Sequence, residues 1–327
     1  MSDPLVEIPV ELRAAYEQCA QVVKRRARNF YYGLRLTPEP RRSAIYSVYA
    51  WMRQADDEAD AAGSADEKRA RLARFRSDTE RLLAGGDAAP REGDFAFEAF
   101  AHTIRRFALD PADLRALLDG LDFDLEHEAL AARLQPGAAP ADMCASRDDL
   151  RTYCFRVAST VGLVCIRIWG LAEGAQWDHA RPLAIRRGIA FQMTNILRDY
   201  AQDYDEGRVY LPAEDFRMHG LTPSDLRHWA KPRACEAMVR DLCSAARAEY
   251  LASAPLDRMV DPSCYATLRT MTRIYSGLLD VVEREPARIA GERRIRLQSA
   301  RKAGIALRAC ARAWLNTHIP VLAARRG

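Results

Sequence analysis

Residues 185–207, IRRGIAFQMTNILRDYAQDYDEG, combine the hydrophobic pattern of a helix with a row of polar side chains. At about 100° per residue, Asn195, Asp199 and Asp203 lie on one ridge of that helix, and Gln192 falls in the same sector. Isoleucine side chains flank this ridge, so we expect this side of the helix to face an apolar interior. The stretch therefore predicts a helix that carries carboxylate and amide oxygens toward the core.

A second acidic stretch, SAIYSVYAWMRQADDEAD at residues 43–60, has the same character. On a helix, Asp56 and Asp60 fall on the stripe of apolar residues, whereas Asp57 falls at its edge. Arg53 lies on the same side, where it can neutralise Asp57 at the i,i+4 spacing. Two like charges one turn apart destabilise a helix by roughly 0.2–0.5 kcal/mol, and facing them toward an apolar interior costs far more unless a cation compensates. The pattern therefore indicates a bound cation.

Two carboxylate sets that face one interior are suited to Mg²⁺ ions that bridge the oxygens of a diphosphate. Mg²⁺ prefers octahedral oxygen coordination, commonly completed by substrate phosphate and water. It would neutralise a diphosphate leaving group, while an apolar cavity shields the resulting carbocation from water. For either stretch alone, a solvated acidic helix end is the simpler interpretation. The two stretches together favour a metal–diphosphate site.

The remaining sequence predicts helices almost throughout and lacks alternating strand-like runs. Breaks at residues 85–94, 135–142 and 254–263 are short enough to be surface loops. Helix starts are indicated where a capping residue precedes proline, at Thr37–Pro38, Asp110–Pro111, Thr222–Pro223 and Asp261–Pro262. We therefore expect residues 1–327 to form one all-α domain of about ten or more helices.

Composition narrows the class of protein. The 327 residues carry a net charge of +4, which does not suggest a nucleic-acid-binding protein. No run of about 18 apolar residues predicts a transmembrane helix, and residues 1–11 do not read as a signal peptide. The eight cysteines form no C-x-x-C pair and the six histidines show no ligand spacing, so we expect reduced thiols in a cytoplasmic protein.

Four separated stretches carry a resemblance to a known family. They are NFYYG at 29–33, YAWMRQADDEAD at 49–60, YCFRVASTVG at 153–162 and QMTNILRDYAQDYDEGRVYLP at 192–212. In this order they resemble the squalene/phytoene synthases, the head-to-head prenyltransferases, over about residues 25–308. The resemblance implies an isoprenoid-synthase-type helical bundle around a central cavity. It also implies two or three Mg²⁺ ions.

The resemblance assigns roles to individual residues. The implied Mg²⁺ ligands are Asp56, Asp60, Asn195, Asp199 and Asp203. The implied catalytic residues are four of these, Asp56, Asp60, Asp199 and Asp203, together with Tyr153. The implied substrate contacts are Asn29, Tyr49, Arg53, Val157, Gly162, Gln192, Arg198, Tyr275 and Arg294. Asn29 departs from the family pattern, which often has Ser before the Phe-Tyr-Tyr stretch, but its amide can still donate a hydrogen bond.

The implied reaction joins two farnesyl diphosphates head to head (1′-1) and releases diphosphate. Residues 30–32, 36–38 and 41–42 look most similar to the presqualene diphosphate synthases of bacterial hopanoid pathways. Phytoene, dehydrosqualene, hydroxysqualene and squalene synthases are the alternatives within the family. The absence of a G-x-G-x-x-G fingerprint disfavours NADPH without excluding it. Outside the family, a single-substrate terpene cyclase and a non-catalytic helical adaptor remain alternatives.

The expected partners are two farnesyl diphosphate molecules, with no nucleic acid. Downstream isoprenoid enzymes are further candidate partners. Because prenyl tails partition into bilayers, peripheral contact with the inner face of the membrane is an open alternative. A basic amphipathic helix over residues 301–312 could provide that contact, although such a face is more often simply solvated.

Overall fold

The computed structural model describes residues 8–85, 94–131 and 140–318, without the side chains of 28, 29, 127–131, 141 and 314–318. Within these ranges the chain is almost entirely helical. The helices are Arg13–Arg26 (α1), Arg28–Leu34 (α2), Arg41–Asp60 (α3), Ala65–Leu83 (α4), Phe95–Phe107 (α5), Pro111–Ala131 (α6), Arg147–Cys154 (α7), Thr160–Trp169 (α8), Trp177–Asp205 (α9), Ala213–Met218 (α10), Pro223–Arg227 (α11), Pro232–Ala252 (α12), Leu256–Met259 (α13), Tyr265–Arg284 (α14) and Ser299–His318 (α15).

Shorter elements connect these helices. A π-helical segment, Phe155–Ser159, joins α7 to α8, and 3₁₀ turns occur at Val10–Leu12, Pro262–Cys264 and Pro286–Ala290. Two two-residue strands, Ala141–Asp142 (β1) and Arg208–Val209 (β2), pair in parallel. Because β2 directly follows α9, this pairing holds the chain beyond the acidic end of α9 against the segment before α7.

Three of the four predicted helix starts are confirmed. Pro111 and Pro223 begin α6 and α11, and Asp261 caps a 3₁₀ turn that begins at Pro262. The start at Thr37–Pro38 is wrong, because α3 begins at Arg41, after a second proline. The Thr37 hydroxyl is instead buried, and hydrogen-bonds the Thr267 hydroxyl of α14 at 3.1 Å.

The α3 and α9 helices lie at the centre of the bundle. The buried face of α3 packs on α1, α4 and α5, where the Trp51 ring stacks on Phe100 with centroids 4.4 Å apart. The 29-residue helix α9 packs against α8, α12, α14 and the π-helical segment. The two helices that carry the acidic stretches are therefore fixed by large apolar contacts on several sides.

Two further expectations concern the predicted loops and the C-terminal helix. The expected break at 254–263 contains the short helix α13, while most of the breaks at 85–94 and 135–142 lies outside the described residues. The predicted C-terminal helix is present as α15, which packs on α14 and α2. Across the described ranges, the structure contains no helix that combines the length and apolar character needed to cross a bilayer.

Candidate active site

An apolar cavity of about 200 Å³ lies between α2, α3, α8, α9 and α14. Its wall is formed mainly by aliphatic and aromatic side chains, among them Phe30, Val48, Met52, Val161, Phe191 and Met271. Both acidic helices contribute to this wall. Tyr49 and Met52 come from α3, and Gln192 and Asn195 come from α9. Asp56 and Asp199 follow Met52 and Asn195 by one helical turn, so each helix carries its acids next to the part that lines the cavity.

Several residues expected to contact substrate lie in this wall. They are Tyr49, Val157, Gly162 and Gln192. Tyr275 lies behind the wall, where its ring packs against Phe30 and Phe191 with centroids 5.2 and 4.7 Å apart. Burial raises the pKa of Tyr275 to about 12. Asn29 lies in α2, but its side chain is outside the described part of the structure.

Asp199 is held by two arginines. Arg198 donates to its carboxylate from Nε at 2.8 Å and from Nη2 at 2.5 Å, and Arg294 donates from Nε at 2.6 Å and from Nη2 at 2.5 Å. Only 14% of the Asp199 side chain is exposed. Burial alone would raise the pKa of this carboxyl, but the two guanidinium groups outweigh it and hold the pKa below its usual value. Two of the three arginines predicted to contact substrate, Arg198 and Arg294, thus already surround a predicted metal ligand.

Asp203 has a different environment one turn further along α9. Among the described residues it forms no ion pair within 4 Å. Burial raises its pKa to about 7, and the charge of Asp199 acts in the same direction. Asn195 also has an oxygen without a partner. Its Oδ1 is buried and accepts no hydrogen bond, while its Nδ2 donates to Gln192 Oε1 at 3.2 Å. Asn195 Oδ1 therefore lacks a hydrogen-bond donor, and the charges of Arg208 and Arg294 do not offset the burial of the Asp203 carboxylate.

The α3 carboxylates lie closer to solvent. The side chain of Asp56 is 41% exposed. Desolvation of its carboxyl group by neighbouring protein atoms nevertheless raises its pKa to about 7, and the charge of Arg53 opposes this shift. The negative charges of Asp60, Asp57 and Asp124 raise the pKa further. Asp60 is 74% exposed, which differs from the expected inward orientation because it is the last residue of α3.

Arg53 pairs with the three aspartates of the α3 stretch. Its guanidinium hydrogen-bonds Asp57 and lies 3.6 Å from Asp56 and 3.9 Å from Asp60. The predicted contact between Arg53 and Asp57 at the i,i+4 spacing is therefore confirmed. Contact with a diphosphate stays a prediction for this residue.

A cluster of Asp124, Tyr153 and Tyr210 links the two acidic helices. Tyr153 donates from its hydroxyl to Asp124 Oδ2 at 3.4 Å, and Tyr210 donates to Asp124 Oδ1 at 3.1 Å. The two rings stack with centroids 4.8 Å apart. Burial is the main cause of the raised pKa values of Asp56 in α3 and of Tyr210 after α9. Asp124 adds to the shift of Asp56, and Asp203 adds to the shift of Tyr210. These effects place both acidic helices next to this cluster.

Asp124 and Tyr210 are not among the site residues predicted from the sequence. Tyr210 lies inside the recognisable stretch 192–212, so its position in that motif was an available signal. Asp124 had no such signal, because α6 also carries Asp119 and Asp122, which pair with Arg76. Burial in the cluster also raises the pKa of Tyr153 well above its ordinary value, so its hydroxyl stays protonated at neutral pH.

The donor set suits a hard divalent cation that brings further oxygen ligands with it. The described residues contain no preassembled group of three or more His, Cys, Asp or Glu side chains around one point. The partnerless Asn195 Oδ1 and the unpaired Asp203 carboxylate are nevertheless oxygen donors on one ridge. Mg²⁺ is commonly bound by one or two carboxylates and completed by phosphate oxygens and water. The residues therefore fit Mg²⁺ that arrives with a diphosphate.

Comparison with known proteins agrees with this geometry. A model of the squalene/phytoene synthase family matches residues 23–301. The chain belongs to the squalene/phytoene synthase family. Members of this family are prenyltransferases that use a divalent metal with prenyl diphosphate substrates, so this protein is a prenyltransferase.

Relatives within the family carry different product names. The chain is 31% identical to the 15-cis-phytoene synthase of Synechococcus elongatus, over 83% of this chain and 85% of that protein. It is also 31% identical to the presqualene diphosphate synthase of Rhodopseudomonas palustris, over 78% of this chain and 83% of that protein. Family membership therefore fixes the reaction class and leaves the substrate length open.

Solved structures of squalene/phytoene synthases confirm the predicted all-α isoprenoid synthase fold. The squalene synthase HpnC from Alicyclobacillus acidocaldarius superimposes with a TM-score of 0.72 at 25% identity, covering 86% of this chain and 98% of that one. A dehydrosqualene synthase in complex with ligand gives a TM-score of 0.76 at 23% identity, covering 97% of this chain and 100% of that one. This likeness supports the fold and carries no statement about function.

Proposed function

We propose that this prenyltransferase joins two farnesyl diphosphates head to head, giving presqualene diphosphate and releasing diphosphate. The observation that carries this proposal is the convergence of both acidic helices on one apolar cavity. Met52 and Asn195 line that cavity, and the Asp56 and Asp199 carboxylates follow them by one helical turn. Asp124 lies near Asp56 and accepts a hydrogen bond from Tyr210, which in turn lies near Asp203. Such a site can hold a charged head group at the acids and a prenyl tail along the wall.

The arginines and acids of this site are proposed to bind the leaving group. Arg53, Arg198 and Arg294 present planar N–H donors that match phosphate oxygens. Two or three Mg²⁺ ions, when bound by Asp56, Asp60, Asn195, Asp199 and Asp203, supply the positive charge that neutralises the departing diphosphate. In the present arrangement Arg198 and Arg294 pair with Asp199, so binding of a diphosphate requires them to share or exchange that partner.

The rest of the cavity is proposed to protect and guide the prenyl cation. Its aliphatic wall keeps water away from the reacting carbons. Phe191 lines the wall, and its ring stacks on that of Tyr275 behind it. The aromatic face of Phe191 can stabilise positive charge in the cavity. Tyr153, protonated and hydrogen-bonded to Asp124, is positioned to hold a proton near the acidic helices. No step of this first condensation requires NADPH.

A second candidate is phytoene synthesis from geranylgeranyl diphosphate. Relatives from Arthrospira platensis and Synechococcus elongatus carry the name phytoene synthase, at 28% and 31% identity. The presqualene diphosphate synthase of Rhodopseudomonas palustris is equally similar, at 31%. Identity at this level does not separate C15 from C20 substrates, so a product assay is required.

The test is to incubate purified protein with Mg²⁺ and farnesyl or geranylgeranyl diphosphate, with and without NADPH, and to identify products by mass spectrometry. We expect a C30 diphosphate from farnesyl diphosphate, whose formation does not depend on NADPH. A C40 hydrocarbon from geranylgeranyl diphosphate alone would replace the proposal with phytoene synthesis. A C15 hydrocarbon would indicate a single-substrate cyclase, and no turnover of either substrate would indicate an adaptor.

Substitution of one acid on each helix should remove this activity. We expect Asp56→Ala and Asp199→Asn each to lower turnover by at least about 100-fold, since each removes charge that holds the metal-bound diphosphate. Asp205→Ala is the matched control, because Asp205 is an acid of the same helix that pairs with Arg227 at the surface. Wild-type turnover in Asp56→Ala or Asp199→Asn, with folding verified by circular dichroism, would contradict the assignment.

A further inference from the structure

One charged side chain lines the otherwise uncharged cavity. Among the described residues that form the wall, Arg187 of α9 is the only arginine, lysine, histidine, aspartate or glutamate. Its side chain is 4% exposed. Burial of a guanidinium next to an apolar chamber is costly unless its N–H groups are satisfied. The position of this group therefore requires an explanation beyond core packing.

Arg187 lies far from the acidic end of the cavity. It precedes Asp199 by twelve residues on the continuous helix α9, which corresponds to about 18 Å along the helix axis. Its partner Asp257 belongs to α13, and the adjacent residue Leu256 also lines the cavity. The guanidinium thus lies at the end of the cavity opposite the proposed diphosphate site.

Neighbouring polar groups hold the guanidinium in place. Nε donates to the Ser253 hydroxyl at 2.8 Å, Nη2 donates to the Ser253 carbonyl at 2.9 Å, and Nη1 donates to Asp257 at 3.1 Å and also to the Thr272 hydroxyl. These four hydrogen bonds use four of the five N–H donors of arginine. A hydrocarbon pressed against the remaining donor would keep it from water or any other acceptor, which carries an energetic cost.

The groups that contact Arg187 also have other partners. Asp257 is 3.3 Å from Arg269, and the Thr272 hydroxyl donates to the Leu268 carbonyl at 2.9 Å. The Ser253 hydroxyl donates to the Glu249 carbonyl at 2.7 Å. Loss of the guanidinium would therefore leave none of these side chains without a partner. The arrangement allows Arg187 to be replaced by an apolar residue while its surroundings stay compensated.

We propose that Arg187 is a specificity-determining residue, which closes the distal end of the cavity and excludes prenyl tails longer than C15. This inference rests on the proposed function, because it takes the cavity to hold the tail of a prenyl diphosphate. A longer tail would have to displace the guanidinium or place its last isoprene unit against an incompletely bonded N–H group. Both requirements disfavour geranylgeranyl relative to farnesyl chains.

The test compares both chain lengths in Arg187→Leu, with Arg186→Leu as the matched control. Arg186 is the adjacent arginine on α9, pairs with Glu249 on the surface and does not line the cavity. We expect the ratio of kcat/KM for geranylgeranyl over farnesyl diphosphate to rise at least about tenfold in Arg187→Leu, since even one methylene changes discrimination by this order. The ratio should stay at the wild-type value in Arg186→Leu.

A binding measurement separates this inference from the reaction itself. Dissociation constants for farnesyl and geranylgeranyl S-thiolodiphosphates with Mg²⁺, measured by calorimetry, report chain preference without turnover. Preference for the longer analogue in the wild type, or an unchanged preference in folded Arg187→Leu, would overturn the role of Arg187. Arg187→Met, which keeps an extended unbranched side chain without the charge, serves the same comparison if Arg187→Leu does not fold. A wild type that shows the expected preference for the shorter analogue but forms no coupled product would contradict the proposed function alone.

Discussion

Asp199 and Asp203 are one helical turn apart on α9, but their pKa values shift in opposite directions. The two guanidinium groups of Arg198 and Arg294 hold the pKa of Asp199 below its usual value, whereas burial without a paired cation raises that of Asp203 to about 7. The same side chain thus behaves differently because Asp199 accepts hydrogen bonds from two guanidinium groups, whereas Arg208 and Arg294 only partly offset the burial of Asp203. An uncompensated acid of this kind costs stability and is expected where a cation is to bind.

Replacement of Asp203 by asparagine should stabilise the metal-free protein. A folded-state pKa of about 7, against 3.8 in the unfolded chain, means that the folded state binds the proton more tightly. Stability contributed by Asp203 therefore falls as pH rises from about 4 to about 7. At pH 8 in EDTA, Asp203→Asn should raise the free energy of unfolding by up to about 4 kcal/mol, since one pKa unit corresponds to about 1.4 kcal/mol. The gain should be smaller at pH 5.

Urea denaturation at pH 5 and pH 8 measures this difference. Asp205→Asn is the control, because its hydrogen bond with Arg227 lowers the pKa of Asp205 and its removal should not stabilise the protein. Equal stability of Asp203→Asn and wild type at pH 8 would show that Asp203 is compensated in solution.

At the scale of elements, the close approach of α9 to the π-helical segment depends on Gly188. A Cβ at this position would lie 2.4 Å from the Ser159 Cα, too close for any side chain. The Ser159 hydroxyl also donates to the Ile185 carbonyl of α9 at 2.8 Å. A glycine on the ridge of α9 can either make room for a ligand or allow close packing of helices. The structure supports close packing, at a residue that also lines the cavity.

Gly188→Ala should therefore destabilise the protein by about 1–3 kcal/mol or more, because α9 must move away from a backbone atom. Gly304→Ala is the matched control, since Gly304 is also helical and a Cβ there would meet nothing within 4 Å. Alanine at position 304 should be neutral or stabilising by up to about 1 kcal/mol, owing to its higher helix propensity. Similar thermal midpoints for the two variants would contradict the packing role of Gly188.

At the scale of the whole molecule, the acidic site joins elements that are distant in sequence. Carboxylates of α3 and α9, Asp124 of α6 and Arg294 before α15 meet near one end of the cavity. A ligand that binds these groups together should stabilise the folded chain as a unit, because it binds the native state and not the unfolded one.

Mg²⁺ together with farnesyl S-thiolodiphosphate should raise the thermal midpoint by several degrees. At a ligand concentration 100 times the dissociation constant, the expected stabilisation is about 2.7 kcal/mol. Differential scanning fluorimetry measures the shift, with EDTA added to remove the metal contribution. An Asp56→Ala, Asp199→Asn double variant should lose most of the shift. An equal shift in that variant would place the ligand elsewhere.

Local physics explains why much of the architecture was predictable from the sequence. Helical periodicity placed Asn195, Asp199 and Asp203 on one ridge, because neighbours at i,i+4 are fixed by the helix itself. Capping geometry is equally local, so Thr222 caps α11 as expected. The Thr37 start was wrong because a tertiary hydrogen bond with Thr267 competes for the same hydroxyl. The orientation of Asp60 differed because α3 ends there.

The helical character of the chain, its two acidic ridges and its resemblance to a prenyltransferase family were all readable from the sequence, since these depend on residues near one another in the chain. Which groups meet across long separations depends instead on the packing of whole helices. Arg294 reaches Asp199 from 95 residues away, Asp124 joins Tyr153 and Tyr210, and the Arg187 guanidinium is buried at the cavity wall. Such pairings follow from how whole helices pack, which no local pattern of residues encodes.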